Sequence, residues 1–273
     1  MESAGLWQLI MKLLAVHNPF NAPVYHEETV TSTMDVSRIL ALRGEPHGTV
    51  ITAGFQTSGR GRVKGRSWIG SGGNLACTIL LRFPGIEGIP RALTLRTGLA
   101  VSLAIEDCAP ALSGKVMVKW PNDVLISGAV PAAAKAAGIL TEADGGNVHI
   151  GIGVNAARQQ FPDFLQGRAT SIGNAAGREM GGECHTLLEK ILIRLHAGIY
   201  AEDWHERLES RLYKKGEIVC FAEGPADSGK TVTGILAGIG PEGELLIMPP
   251  GSPAGSALSF TTGELLLPWP GQG

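Results

Sequence analysis

The sequence predicts an α+β fold: a mixed or antiparallel sheet with helices, followed by a small all-β module. Three observations predict it. Four strand-patterned segments (Lys115 to Trp120, Val124 to Ile126, Gly138 to Ala143 and Val148 to Val154) follow one another through short links, which does not suit a βαβ array. Two longer segments, Pro90 to Asp107 and Thr186 to Leu212, carry apolar residues at helical spacing. After Lys214-Lys215-Gly216 the texture changes to short strands separated by Gly/Pro turns. We place the boundary there, giving domains 1–213 and 214–273. A chain of 273 residues is long enough for one large and one small domain.

The elements follow in order. Asn18 to Pro23 reads as a loop and Val24-Tyr25-His26 as a short strand. Ser32-Thr33-Met34-Asp35 opens a helix with Val36, Ile39 and Leu40 on one face and Gly44 as its stop. Ser and Thr suit the N-cap, and Asp35 suits the positive helix end. Thr49 to Ala53 is a strand, and Asn74 to Phe83 a second, nearly continuously apolar one. Pro90 opens the next helix. Lys115 to Trp120 alternates as a strand, Pro121-Asn122-Asp123 turns, and Val124 to Ile126 resumes. Val130-Pro131-Ala132-Ala133-Ala134 is a low-complexity insert, expected as a loop. Asp144-Gly145-Gly146-Asn147 joins the last two strands of the first domain as a hairpin. Leu187, Leu188, Ile191, Leu192, Leu195 and Ile199 then mark the long helical region. Glu217–Phe221, Thr231–Ile239, Glu244–Ile247 and Gly263–Leu267 are the strands of the small module.

Composition excludes several functions. A net charge of −2 argues against broad nucleic-acid binding. No stretch of eighteen uninterrupted apolar residues marks a membrane span, and the N-terminus lacks the basic n-region of a signal peptide. Cys77, Cys108, Cys184 and Cys220 form no C-x-x-C pair, which fits reduced cysteines in a cytoplasmic protein. The seven histidines show no metal-ligand spacing, and no serine sits in a nucleophile elbow.

Residues 59–73 hold six glycines, three arginines and one lysine. Glycine lets backbone N–H groups approach a ligand, and arginine suits phosphate or carboxylate oxygens. Local anion site and plain charged loop both fit. The strand that follows at Asn74, and the missing lysine-serine ending, exclude a Rossmann fingerprint and a P-loop. Lys119-Trp120-Pro121-Asn122-Asp123 offers a cation, an aromatic, an amide and a carboxylate at a strand end; a phosphate, magnesium or ribose contact and a plain turn remain open. Lys135 reads as a strand-edge charge or a functional cation. Gly151 and Gly153 weaken their strand, which suggests a bulge, a ligand's close approach, or strand packing.

Together these segments resemble the biotin protein ligases. Thr31-Ser32-Thr33, Gln56-Thr57-Ser58-Gly59-Arg60-Gly61-Arg62, Gly65-Arg66-Ser67-Trp68, Gly73-Asn74-Leu75, the Lys119–Asp123 run, Lys135-Ala136-Ala137-Gly138-Ile139-Leu140 and Gly151-Ile152-Gly153-Val154-Asn155 stand in family order, over about residues 24 to 270. The resemblance implies a sheet related to class II aminoacyl-tRNA synthetases and an SH3-like C-terminal barrel. It implies an enzyme that joins biotin and ATP into biotinyl-5′-adenylate. The biotinyl group then passes to a lysine of a biotin carboxyl carrier protein. By resemblance Lys135, Arg60 and Arg62 are catalytic. Ser32, Thr33, Gln56, Gly59, Arg60, Lys135, Gly138, Leu140, Gly151 and Gly153 bind biotin. Arg62, Trp68, Lys119, Asn122, Asp123 and Asn155 bind ATP, with Asp123 as a contact to magnesium carried by ATP. A lipoate or octanoate transferase and a non-catalytic biotin binder are the alternatives; the Arg-Gly-Gly-Gly motif typical of the former is absent.

Three departures stand out: Met34 where the family has Asn, an extra residue at Val63-Lys64, and about five extra residues between Asp123 and Lys135. Only about twenty-three residues precede the first motif, so no DNA-binding domain is expected. A monomer and a homodimer are both open.

Overall fold

The computed structural model describes residues 11–62, 68, 72–128, 133–224, 229–253 and 256–266. Its elements are β1 (Lys12–Leu13), β2 (Val24–Val30), α1 (Thr33–Leu42), β3 (Thr49–Gln56), β4 (Leu75–Arg82), α2 (Leu93–Cys108), β5 (Val116–Lys119), β6 (Asp123–Ser127), β7 (Ala133–Asp144), β8 (Asn147–Val154), α3 (Ile172–Ala176), α4 (Cys184–Gly198), α5 (Trp204–Glu209), β9 (Ile218–Glu223), β10 (Thr231–Ile239), β11 (Leu245–Met248), β12 (Leu258–Phe260) and β13 (Gly263–Leu266).

The first sheet has eight strands in the order β1-β2-β3-β4-β8-β7-β6-β5. Its β2–β3 pair is parallel and is bridged by α1, the crossover a parallel pair needs. The remaining pairs are antiparallel, so the sheet is mixed. Side chains alternate across it. Leu75, Cys77, Ile79 and Leu81 of β4 face α2 and α4, and pack with Val101, Ala104, Ile105, Leu188, Ile191 and Leu195 into the main core.

The other face is built from smaller residues. Ala76 pairs with Gly153 and Thr78 with Gly151, while Gly138 and Leu140 of β7 pair with Gly153 and Gly151. Residues directly opposite in an antiparallel pair point to the same side. The central strands therefore present a patch of Gly, Ala and Thr toward α1, and this leaves room for a chamber.

The expected small β module is a five-stranded antiparallel sheet, β12-β11-β10-β9-β13. Its core is shared with the larger unit: Phe221, Leu236, Leu245 and Ile247 cluster with Leu95, Leu99, Val118 and Trp120. Trp120 Nε1 donates to Gly243 O at 2.9 Å.

Several sequence expectations need correction. The helical region 186–212 is two helices, α4 and α5. Arg96 stabilises the break: Nη1 donates to Gly198 O at 3.1 Å and to Ala201 O at 2.9 Å, and its guanidinium lies over Trp204. That partner lies on α2, beyond the reach of local periodicity. The strand read at Val24-Tyr25-His26 continues to Val30, because its ladder with β3 runs on to Gln56. Ala133 and Ala134, read as part of a loop, are buried in β7 and pair with Ser127 and Ile126. Residues 130–132 of that insert lie outside the described residues, as do Val63-Lys64. Lys135 does not precede a strand but is the third residue of β7. Strand β12 was not foreseen.

Candidate active site

A cavity of about 790 Å³ opens on the α1 face of the large sheet. One end lies at the N-terminus of α1. The first backbone N–H groups of a helix lack intrahelical partners. Here the N-cap Ser32 accepts from Met34 N at 3.3 Å, and Gln56 Oε1, from the end of β3, accepts from Thr33 N at 2.8 Å. Gln56 Oε1 also takes the Thr33 hydroxyl at 3.1 Å. A backbone N–H can only donate, so this bond fixes the amide with its NH2 group away from the helix. Ser32, Thr33 and Gln56 all line the cavity. Met34 lines it too; its sulfur stands 2.8 Å from where a Cβ on Gly151 would lie.

The other end is charged. Asp123 Oδ1 is 2.6 Å from Lys135 Nζ, and its Oδ2 is 3.9 Å from Lys119 Nζ. Lys135 is aimed here by a bulge: Val124 pairs with Ala137 but Leu125 with Lys135, which skips Ala136. Its side chain lies over Gly138, where a Cβ would stand 3.2 Å from Nζ. Lys119 is buried, and burial pushes its ammonium below the usual lysine range. Asp123 and Glu264 oppose that shift, while Lys135 and Arg62 add to it. Asn122 Nδ2 donates to Ile139 O at 2.8 Å, so its amide ties the turn to β7. Asn155 Nδ2 donates to Thr170 O at 3.0 Å. Arg62 Nη2 donates to Gly263 O at 2.9 Å and so reaches the small module. Arg60 pairs with Asp35 of α1, which also holds Arg38 at 3.1 Å.

Trp68 stands between the two ends. A Cβ on Gly153 would lie 2.5 Å from the indole, so only glycine permits this packing. Trp68 Nε1 is buried and has no hydrogen-bond partner among the described residues. A buried donor without a partner costs about 1–3 kcal/mol, so a ligand acceptor there would be favoured.

The cavity brings together fifteen of the sixteen residues singled out in the sequence. Gly59 does not line it; its carbonyl accepts from Trp68 N at 3.1 Å, which closes the base of the loop. Two parts of the lining were missed. Glu264 arrives from β13, and a lone glutamate in a short strand gives no signal. The segment after β8 supplies Gln159, Phe161, Phe164, Leu165 and Arg168. Two phenylalanines flanking a proline, Phe161-Pro162-Asp163-Phe164, were the available hint in the sequence; Phe164 is 64% exposed.

The model of the biotin/lipoate A/B protein ligase family matches residues 27–156. The biotin--[acetyl-CoA-carboxylase] ligase of Paracoccus denitrificans is 32% identical over 218 residues, spanning 73% of this chain and 84% of the relative. The chain therefore belongs to the biotin/lipoate A/B protein ligase family. The bifunctional ligase/repressor BirA of Bacillus subtilis is 38% identical over 166 residues, 58% of this chain and 48% of that protein. The chain thus spans about half the length of that relative. Among solved structures, the biotin protein ligase from Aquifex aeolicus in complex with biotin and ATP superposes with a TM-score of 0.72 at 26% identity, covering 89% of this chain and 97% of that one.

Proposed function

We propose that this chain is an ATP-dependent biotin protein ligase that forms biotinyl-5′-adenylate and transfers biotin to a lysine of a biotin carboxyl carrier protein. The observation that carries the reading is one cavity with a hydrogen-bonding end at Ser32, Thr33 and Gln56 and a cationic end at Lys119, Lys135 and Arg62. The first end suits a cyclic urea, and the glycine-floored middle suits an apolar tail. The second end suits a carboxylate beside phosphates.

The chemistry needs little from the protein beyond charge and position. The biotin carboxylate is ionised at neutral pH, so no base is needed. Its oxygen attacks the α-phosphorus and pyrophosphate leaves. The barrier is repulsion between anions, and fixed cations and N–H groups lower it. Lys135 would hold the attacking carboxylate, with Asp123 orienting that ammonium. Arg60, Arg62 and Lys119 would meet phosphate charge. Asn122 and Asn155 would shape the nucleotide end, with Trp68 and the Phe161–Leu165 wall against the adenylate. In the second step the carrier lysine attacks the acyl carbon and AMP leaves.

Magnesium would neutralise charge on the ATP phosphates. Among the described residues no group of three or more His, Cys, Asp or Glu side chains gathers. The ion would be borne mainly on the phosphates, with Asp123 as its protein contact. We divide the chain into a catalytic part, 1–213, and a C-terminal part, 214–273, and place its action in the cytoplasm. Among the described residues no helix is long and apolar enough to cross a membrane.

Exchange of labelled pyrophosphate into ATP tests the reading. Exchange should depend on biotin. Exchange with lipoate but not biotin, or with neither, would contradict it.

A further inference from the structure

We infer that Thr78, a fully buried residue outside the cavity lining, is a positioning residue: by filling one lone pair of Thr33 Oγ1 it holds in place the hydrogen-bonding polarity that the Thr33 N–H and Gln56 fix at the site's α1 end. The inference rests on the biotin-ligase reading for its ligand, but the geometry stands by itself. Thr78 sits in the middle of β4, opposite Gly151, with its side chain beneath the start of α1. Its hydroxyl donates to Thr33 Oγ1 at 2.8 Å, and the Thr33 hydroxyl donates to Gln56 Oε1 at 3.1 Å.

The direction of this chain is forced. Gln56 Oε1 accepts from Thr33 N, so it is the amide oxygen and cannot donate. The Thr33 proton must therefore point to Gln56. Thr33 Oγ1 can then receive Thr78 only as an acceptor, and one lone pair is left over. Gln56 presents its NH2 as a donor, and Ser32, whose oxygen already accepts Met34 N, presents its hydroxyl proton. The α1 end thus offers N–H and O–H donors from Gln56 and Ser32 beside an acceptor lone pair on Thr33 Oγ1, which suits the carbonyl and an N–H of a cyclic urea. Chained hydrogen bonds polarise one another in a site of low dielectric. Thr78 is the buried origin of this chain, at 0% exposure.

The test uses the full chain with Thr78→Val, which keeps the shape and removes the donor, and Thr78→Ser, which restores the donor. Two readouts are taken: the Gln56 side-chain amide resonances without ligand, and the biotin Kd by calorimetry. Thr78→Val should shift the amide resonances and raise the biotin Kd about tenfold, the scale of one ordinary hydrogen bond. The KM for ATP should hold, and Thr78→Ser should return Kd to within about twofold of the parent. A general packing defect would lower the active fraction without this split. Unmoved amide resonances in Thr78→Val, or moved resonances with an unchanged Kd, would overturn the inference. If the parent protein binds no biotin, the ligase reading fails, and the amide resonances still decide the relay.

Discussion

At the scale of single residues, Gly153 and His149 each tie one atom's environment to a measurable property. The Trp68 indole rests on Gly153, where an added methyl would lie 2.5 Å from the ring. Gly153 lies in a central strand of the sheet, so the added methyl of Gly153→Ala must displace the indole. We expect biotin affinity to fall by about tenfold or more with little change in Tm, measured by calorimetry and thermal melts. Unchanged affinity would mean that Trp68 does not wall the ligand. His149 is buried, with Nδ1 2.7 Å from Ser37 Oγ. Burial, and then Arg38, lower its pKa, while Glu142 and Asp144 oppose the shift. The unfolded chain therefore binds this proton more readily than the folded one. Stability from this site is complete above the ordinary histidine value of about 6.5 and is lost as pH falls below it. Tm should drop between pH 7 and 5.5, and His149→Gln should flatten that drop. An equal drop in the variant would remove His149 as its source.

At the scale of elements, α1 and the glycine-rich loop act together. Asp35 in the first turn of α1 pairs with both Arg60 and Arg38, and Arg38 reaches Glu142 on β7. From the other side Arg62 grips Gly263 O on β13. The loop is thus held at Arg60 and at Arg62. Arg62→Gly should free the second hold. We expect faster release of biotinyl-adenylate and biotinylation of unrelated proteins, read by rapid filtration and blotting. Unchanged retention would mean that the Arg62–Gly263 contact does not help hold the adenylate. Much of this was legible in the sequence, because turn residues, Ser/Thr caps and arginines carry local signals. Ser32 opening α1 is one example, and the Lys119–Asp123 turn another. The partners were not legible. Asp35 pairing with Arg60 and Thr78 bonding Thr33 are contacts between residues far apart in the chain, and Glu264 enters the cavity from the last strand. Periodicity also failed where a distant side chain stabilised a break, as Arg96 does between α4 and α5.

At the scale of the whole molecule, the small sheet is packed into the large unit. Trp120, within the most motif-like run of the chain, points to Gly243 and Phe221 in the small sheet and does not line the cavity. The second core draws on both units, with Leu95, Leu99, Val118, Trp120 and Leu212 on one side. A chain cut after residue 213 would expose these side chains. We expect it to aggregate or melt well below the full chain, checked by light scattering and thermal melts; a cut chain that melts like the parent would contradict the shared core. The fold class was readable because the strand run from Lys115 to Val154 and the texture change near residue 214 are patterns of sequence. The dependence of one unit on the other was not, since it lives in a shared core.

In the proposed reaction the cavity joins a carboxylate to the ATP α-phosphate at Lys135. Its most direct test is biotin-dependent pyrophosphate exchange by the parent and by Lys135→Ala, side by side. The parent should exchange robustly, and the variant should lose activity on the order of 10²–10³-fold. Near-parental exchange by Lys135→Ala would contradict it.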